Sequence, residues 1–139
     1  MTELNGATKR EQHLTQLKWA LQALAIPAPD QRRLFPELVS VPDELALDFD
    51  NWQSVVLGNY AGELSTEQAS SLAEIGRTLA RMSRIGADFK RELWTDVALG
   101  SSQQWADLRR LAVAALEAFG WPAESPPHDP NERGTAFVS

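Results

Sequence analysis

The chain has 139 residues, a formal net charge of −6, 43% apolar and 23% charged residues, and no cysteine. That length supports a single domain with its own core, and the missing cysteines exclude disulfides and thiolate chemistry. A negative balance argues against nucleic-acid binding, which draws on clustered Lys and Arg to displace counterions. No apolar run reaches bilayer length and no N-terminal stretch has the form of a signal peptide, so the expectation is a cytoplasmic protein without membrane contact.

In chain order, residues 1–8 are polar and expected to fray. Thr8 to Ala25 reads as a helix, because Leu14, Leu17, Leu21 and Leu24 recur at helical steps. This repeat is short for a coiled coil, so the stripe is assigned to the domain's own core. Trp19 lies roughly opposite it, to be covered by another element or left for a partner. The following residues, 26–33, carry Pro27 and Pro29 and read as a connector. Residues 34–39 are apolar but short, and suit irregular backbone or a strand.

The densest apolar stretch runs from Pro42 to Gly58. Leu45, Phe49, Trp52 and Val56 share one stripe of a helix expected over 43–58. Pro42 fits a first turn, Asp43 and Glu44 face the positive end of the dipole, and Gly58-Asn59 supplies the stop. A strand competes in the first half, since Leu45, Leu47 and Phe49 also alternate, which keeps a short β element open within 34–49. Leu47 and Leu57 fall off the helical stripe. This helix is therefore expected to be covered on more than one side, at the centre of the fold.

Ser65 and Gln68 have the spacing of a capping box. Behind them Leu72, Ile75, Leu79 and Met82 form one face, with Gly76 beside it for close packing. Arg77, Arg81 and Arg84 form a basic strip nearly opposite. Gly86 ends that helix, and 88–99 should be a helix or two turns restarting near Thr95. Ser101 or Ser102 caps a last helix whose Trp105, Leu108, Leu111, Ala112, Ala115, Leu116 and Phe119 share a face, closed by Gly120 and Pro122. The fold class is mostly α: a compact single-domain bundle of about four to five helices over 1–122. A flexible Pro-rich tail, 123–139, follows unless Phe137 and Val138 dock.

Catalytic constellations are not evident. His13 and His128 are the only histidines, and neither neighbours a Gly-flanked serine. The run Leu45-Ala46-Leu47-Asp48-Phe49-Asp50 resembles the first motif of haloacid-dehalogenase-type phosphatases. Asn51 and Trp52, however, stand where that motif has Gly and Thr, and no doubly wound pattern follows. An EF-hand loop also fails, with Gln53 at the turn glycine and Asn59 at the bidentate Glu. In a helix Asp48 and Asp50 point roughly 160° apart. No catalytic residue, metal or cofactor is assigned, and a divalent-metal enzyme using Asp48 and Asp50 stays as an alternative.

Charge is the strongest functional signal. From Leu34 through Gly76 there is no Lys or Arg, while Glu37, Asp43, Glu44, Asp48, Asp50, Glu63, Glu67 and Glu74 are present. The expected function is a non-enzymatic acidic protein-binding module that meets a basic protein partner through Asp43, Glu44, Asp48, Asp50 and Trp19. Immunity-like and antitoxin-like proteins that neutralise a cationic nuclease work by such charge complementarity. Arg77, Arg81 and Arg84 offer a second face for an anionic partner. A homo-oligomer joined through the leucine stripe of the first helix or through Trp19 is the remaining alternative.

Overall fold

The computed structural model describes the backbone of residues 2–83 and 90–127, with side chains from Lys9 onward. Arg84, Gly86, Asp88, Phe89, His128, Phe137 and Val138 lie outside the described residues. Within them the chain forms α1 (Thr2–Ala25), α2 (Ala28–Arg33), α3 (Val41–Tyr60), α4 (Thr66–Met82), α5 (Asp96–Ser101) and α6 (Gln103–Phe119). Short 3-10 turns, Ala61–Glu63 and Arg91–Trp94, lead into α4 and α5. Among the described residues there is no strand, so the β alternative within 34–49 is not realised. The reason is visible in burial: Leu45 and Phe49 are buried while Leu47, between them, is 56% exposed. Period 3.6 sorts these side chains; period 2 does not.

α6, not α3, is the centre. It packs against α1, α4 and α5, whereas α3 lies chiefly on α1. Trp105, Leu108, Ala112, Ala115 and Leu116 of α6 are all fully buried. The Trp105 indole donates to the Leu93 carbonyl at 2.7 Å and meets the edge of Trp94, whose own indole N–H binds the Met82 carbonyl at 2.9 Å. Two tryptophans thus tie the end of α4 and the turn at 91–94 to the start of α6, each with its polar atom satisfied.

The helix ends follow local chemistry. Ser65 Oγ accepts from the Gln68 N–H and Gln68 Oε1 from the Ser65 N–H, the expected reciprocal cap. Gln68 Nε2 also donates to the Ala118 carbonyl, which joins the start of α4 to the end of α6. Thr95 and Ser102 cap α5 and α6 through their side-chain oxygens. Gly120 closes α6 at φ 74°, with Trp121 N–H reaching the Leu116 carbonyl. That left-handed turn favours glycine.

Several expectations are corrected. α1 begins at Thr2, so the helix covers residues expected to fray. The connector at 26–33 contains α2, because prolines at helix entry lose nothing and Gln31 has a buried task. Fully buried, Gln31 donates to the carbonyls of Ala23 and Leu24, two acceptors left open where α1 ends. α3 runs past Gly58 to Tyr60. A Cβ built at Gly76 meets nothing within 4 Å, so that glycine serves no close helix contact. Beyond Pro122 the chain folds back far enough to bury Pro126, and Gln22 donates to the Pro122 carbonyl.

Candidate functional site

The outward face of α3 is the first candidate. On a helical wheel Asp43, Leu47, Asp50, Ser54 and Leu57 fall within roughly 80° of one another, and all five are exposed. Opposite them Leu45, Phe49 and Val56 are buried against the core. Leu57 is 37% exposed. Both off-stripe leucines therefore face outward, which corrects the expectation that α3 is covered on more than one side. They sit among carboxylates.

The carboxylates of the acidic stretch divide into two groups. Glu63 is bound by Arg10 of α1 at 2.6 Å and Glu74 by Arg77 of its own helix at 3.0 Å. Asp43, Glu44 and Asp50 form no ion pair with any described residue. Glu44 is half-buried, and its carboxyl is held above the ordinary range, first by burial and then by repulsion from Asp48 and Asp43. The start of α3 is therefore a region where negative charge is already costly.

Asp48 departs from expectation. It is only 7% exposed, so it is not part of the open acidic surface. Its position explains this: Glu44, Asp48 and Trp52, at i, i+4 and i+8, form a ridge along the flank between the buried and open faces. Asp48 and Asp50 lie on different sides of the helix and do not converge. Among the described residues no three His, Cys, Asp or Glu side chains are grouped as a metal site.

Trp19 is half-buried rather than open. It lines a groove of 540 Å³ between α1 and α3, together with Glu11, Gln12, His13, Thr15, Gln16 and Trp52. Trp52, expected in the core, is likewise half-buried at the groove wall. His13 Nδ1 and the Tyr60 hydroxyl are hydrogen-bonded at 2.9 Å, and the His13 ring also lies 6.0 Å from that of Trp52. His13 is thus an α1–α3 contact, not a solvated histidine. The leucine stripe of α1 is unavailable to a second copy, since Leu17, Leu21 and Leu24 are fully buried.

Of the basic strip, Arg77 and Arg81 are exposed on α4. Arg77 is engaged with Glu74 and not with the open carboxylates of α3. No protein-family model, curated protein or solved structure matches the chain. No helix among the described residues is long and apolar enough to cross a membrane.

Proposed function

We propose that this protein is a non-enzymatic binding module whose α3 receives a basic protein partner in the cytoplasm. One observation carries the reading: Asp43 and Asp50 stand exposed and without an ion-pair partner among the described residues, on the same face as exposed Leu47 and Leu57. Charge alone would steer a cation without fixing it. Leucines alone would leave an apolar patch facing water. Together they fit a partner surface with Lys or Arg around an apolar centre, the usual division between rim and core of an interface.

Glu44 adds a thermodynamic reason. Its carboxyl is held above the ordinary range, first by burial and then by the like charges of Asp48 and Asp43. An incoming cation offsets the like-charge part of that penalty, so binding weakens as pH falls through the range where Glu44 protonates. Asp48 is excluded from the surface by its burial. Trp19 and the α1–α3 groove lie along the inner flank of α3 and extend the surface for a partner that overlaps its edge.

Affinity capture from the native host tests this, with the wild type and Asp43→Lys/Asp50→Lys compared at two salt concentrations. The expected result is a basic protein retained by the wild type at low salt, and lost with added salt or with charge reversal, while circular dichroism and melting stay unchanged. Retention of the same partner by the double variant would remove α3 as the interface. Neutralisation of a cationic toxin encoded beside this chain is the specific form of the proposal, and co-expression of the two is its assay.

A further inference from the structure

A second groove lies on a different part of the molecule, between α2 and α5. It encloses 520 Å³ and is lined by Pro27, Ala28, Pro29, Arg32, Val97, Gly100, Ser101 and Arg109. Among the described residues two arginines and no carboxylate face it, in a chain whose formal net charge is −6. The neighbouring acids do not compensate them. Asp30 is paired with Arg33, and Asp96 supplies only its backbone carbonyl, which accepts from Arg32 Nη2 at 2.7 Å.

Both guanidiniums are oriented by neutral acceptors. Arg109 Nη1 donates to the Leu99 carbonyl at 2.9 Å and contacts Gln31 Oε1 at 3.4 Å. A guanidinium has five N–H donors. The Nε and Nη1 of Arg32, and the Nε and Nη2 of Arg109, make no hydrogen bond to a described residue. Gly100 makes room for the arrangement: a Cβ there would stand 3.1 Å from Arg32 Nη2 and 3.5 Å from the Ala28 Cβ. Burial lowers the Arg109 pKa, with no carboxylate of a described residue acting against it. Arg32 and Arg109 are fixed cations with donors left over, and Pro27, Pro29 and a 77% exposed Val97 form an apolar rim beside them.

We infer that the α2–α5 groove binds a small organic carboxylate, with the two arginines on the oxyanion and Pro27, Pro29 and Val97 against its apolar body. Guanidinium forks match carboxylate geometry and are less strongly hydrated than an ammonium. The apolar rim discriminates against a free inorganic anion, which keeps its hydration on every side. The site is independent of α3 and does not require the protein-partner proposal.

The test is an NMR titration of the full chain with sodium benzoate, following the arginine Nε–H signals. Benzamide, the same ring without the charge, and inorganic phosphate are the comparison probes. Benzoate is expected to shift the Arg32 and Arg109 signals saturably, benzamide to leave them in place, and phosphate to bind more weakly than benzoate. Arg32→Gln, on an exposed side chain, should weaken benzoate by about tenfold or more. Val97→Asp should weaken it as well, by placing a negative charge at the rim without touching the core. Non-saturable shifts, equal response to benzamide, tighter binding of phosphate, or unchanged benzoate affinity in Arg32→Gln would each overturn the assignment.

Discussion

α3 and α6 are the two most apolar long helices, and they are used in opposite ways. α6 places Trp105, Leu108, Ala112, Ala115 and Leu116 at zero exposure among three neighbouring helices. α3 buries Leu45, Phe49 and Val56 but leaves Leu47 and Leu57 outside, beside Asp43 and Asp50, which have no ion-pair partner among the described residues. The first spends its apolar surface on stability. The second keeps part of it at the surface, where it contributes less to folding. The contrast separates the helix that holds the molecule together from the helix proposed here to receive a partner.

The largest test of that division is a pair of truncations. Trp105→Ala should cost about 3–5 kcal/mol in urea unfolding, because it empties a fully packed site and orphans the Leu93 carbonyl. Leu47→Ser should stay within about 0.5 kcal/mol of wild type, as expected for an exposed position. A large loss from Leu47→Ser would mean that the open face of α3 is structural after all.

A smaller contrast concerns two glycines. Gly120→Ala forces a side chain into a left-handed turn at φ 74° and should destabilise by about 1 kcal/mol. Gly76→Ala adds a Cβ to a helix interior with free space around it and should stabilise by about 0.5–1 kcal/mol. Thermal melts of the two variants should move in opposite directions.

Smallest is the effect of Glu44. Its folded pKa is raised, so between the ordinary value of 4.5 and the raised one the folded state holds the proton more than the unfolded chain does. Stability from this group therefore falls as pH rises through that window, and the penalty persists at neutral pH. Glu44→Gln should be slightly more stable than wild type at pH 7, and the gain should vanish below pH 4.5. A gain independent of pH would assign it to packing instead of charge.

How far each feature could be read from sequence depended on how local its cause is. The Ser65–Gln68 cap, the Ser102 cap and the Gly120 stop depend on residues a few positions apart, and their spacing announces them. The stripes of α4 and α6 likewise reflect one periodicity and one core. α2 was hidden because two prolines look like a break until Gln31 is seen closing α1. Asp48 reads as surface by residue type, yet it is only 7% exposed, a tertiary fact that residue type does not carry. The exposure of Leu47 and Leu57 follows from which helix occupies the centre, a tertiary fact. His13 and Tyr60 meet across 47 positions, and Arg32 and Arg109 converge from two different helices. No spacing within the sequence encodes those encounters.

The most direct measurement places a photo-crosslinking amino acid at Leu47 and, as a control, at Ala73, which is exposed on α4. Irradiation in the native host should give one discrete adduct from position 47 alone, containing a basic protein, and its yield should fall when salt is raised. An adduct formed equally from both positions, an acidic protein at position 47, or no discrete adduct there would contradict the assignment of α3 as a docking surface.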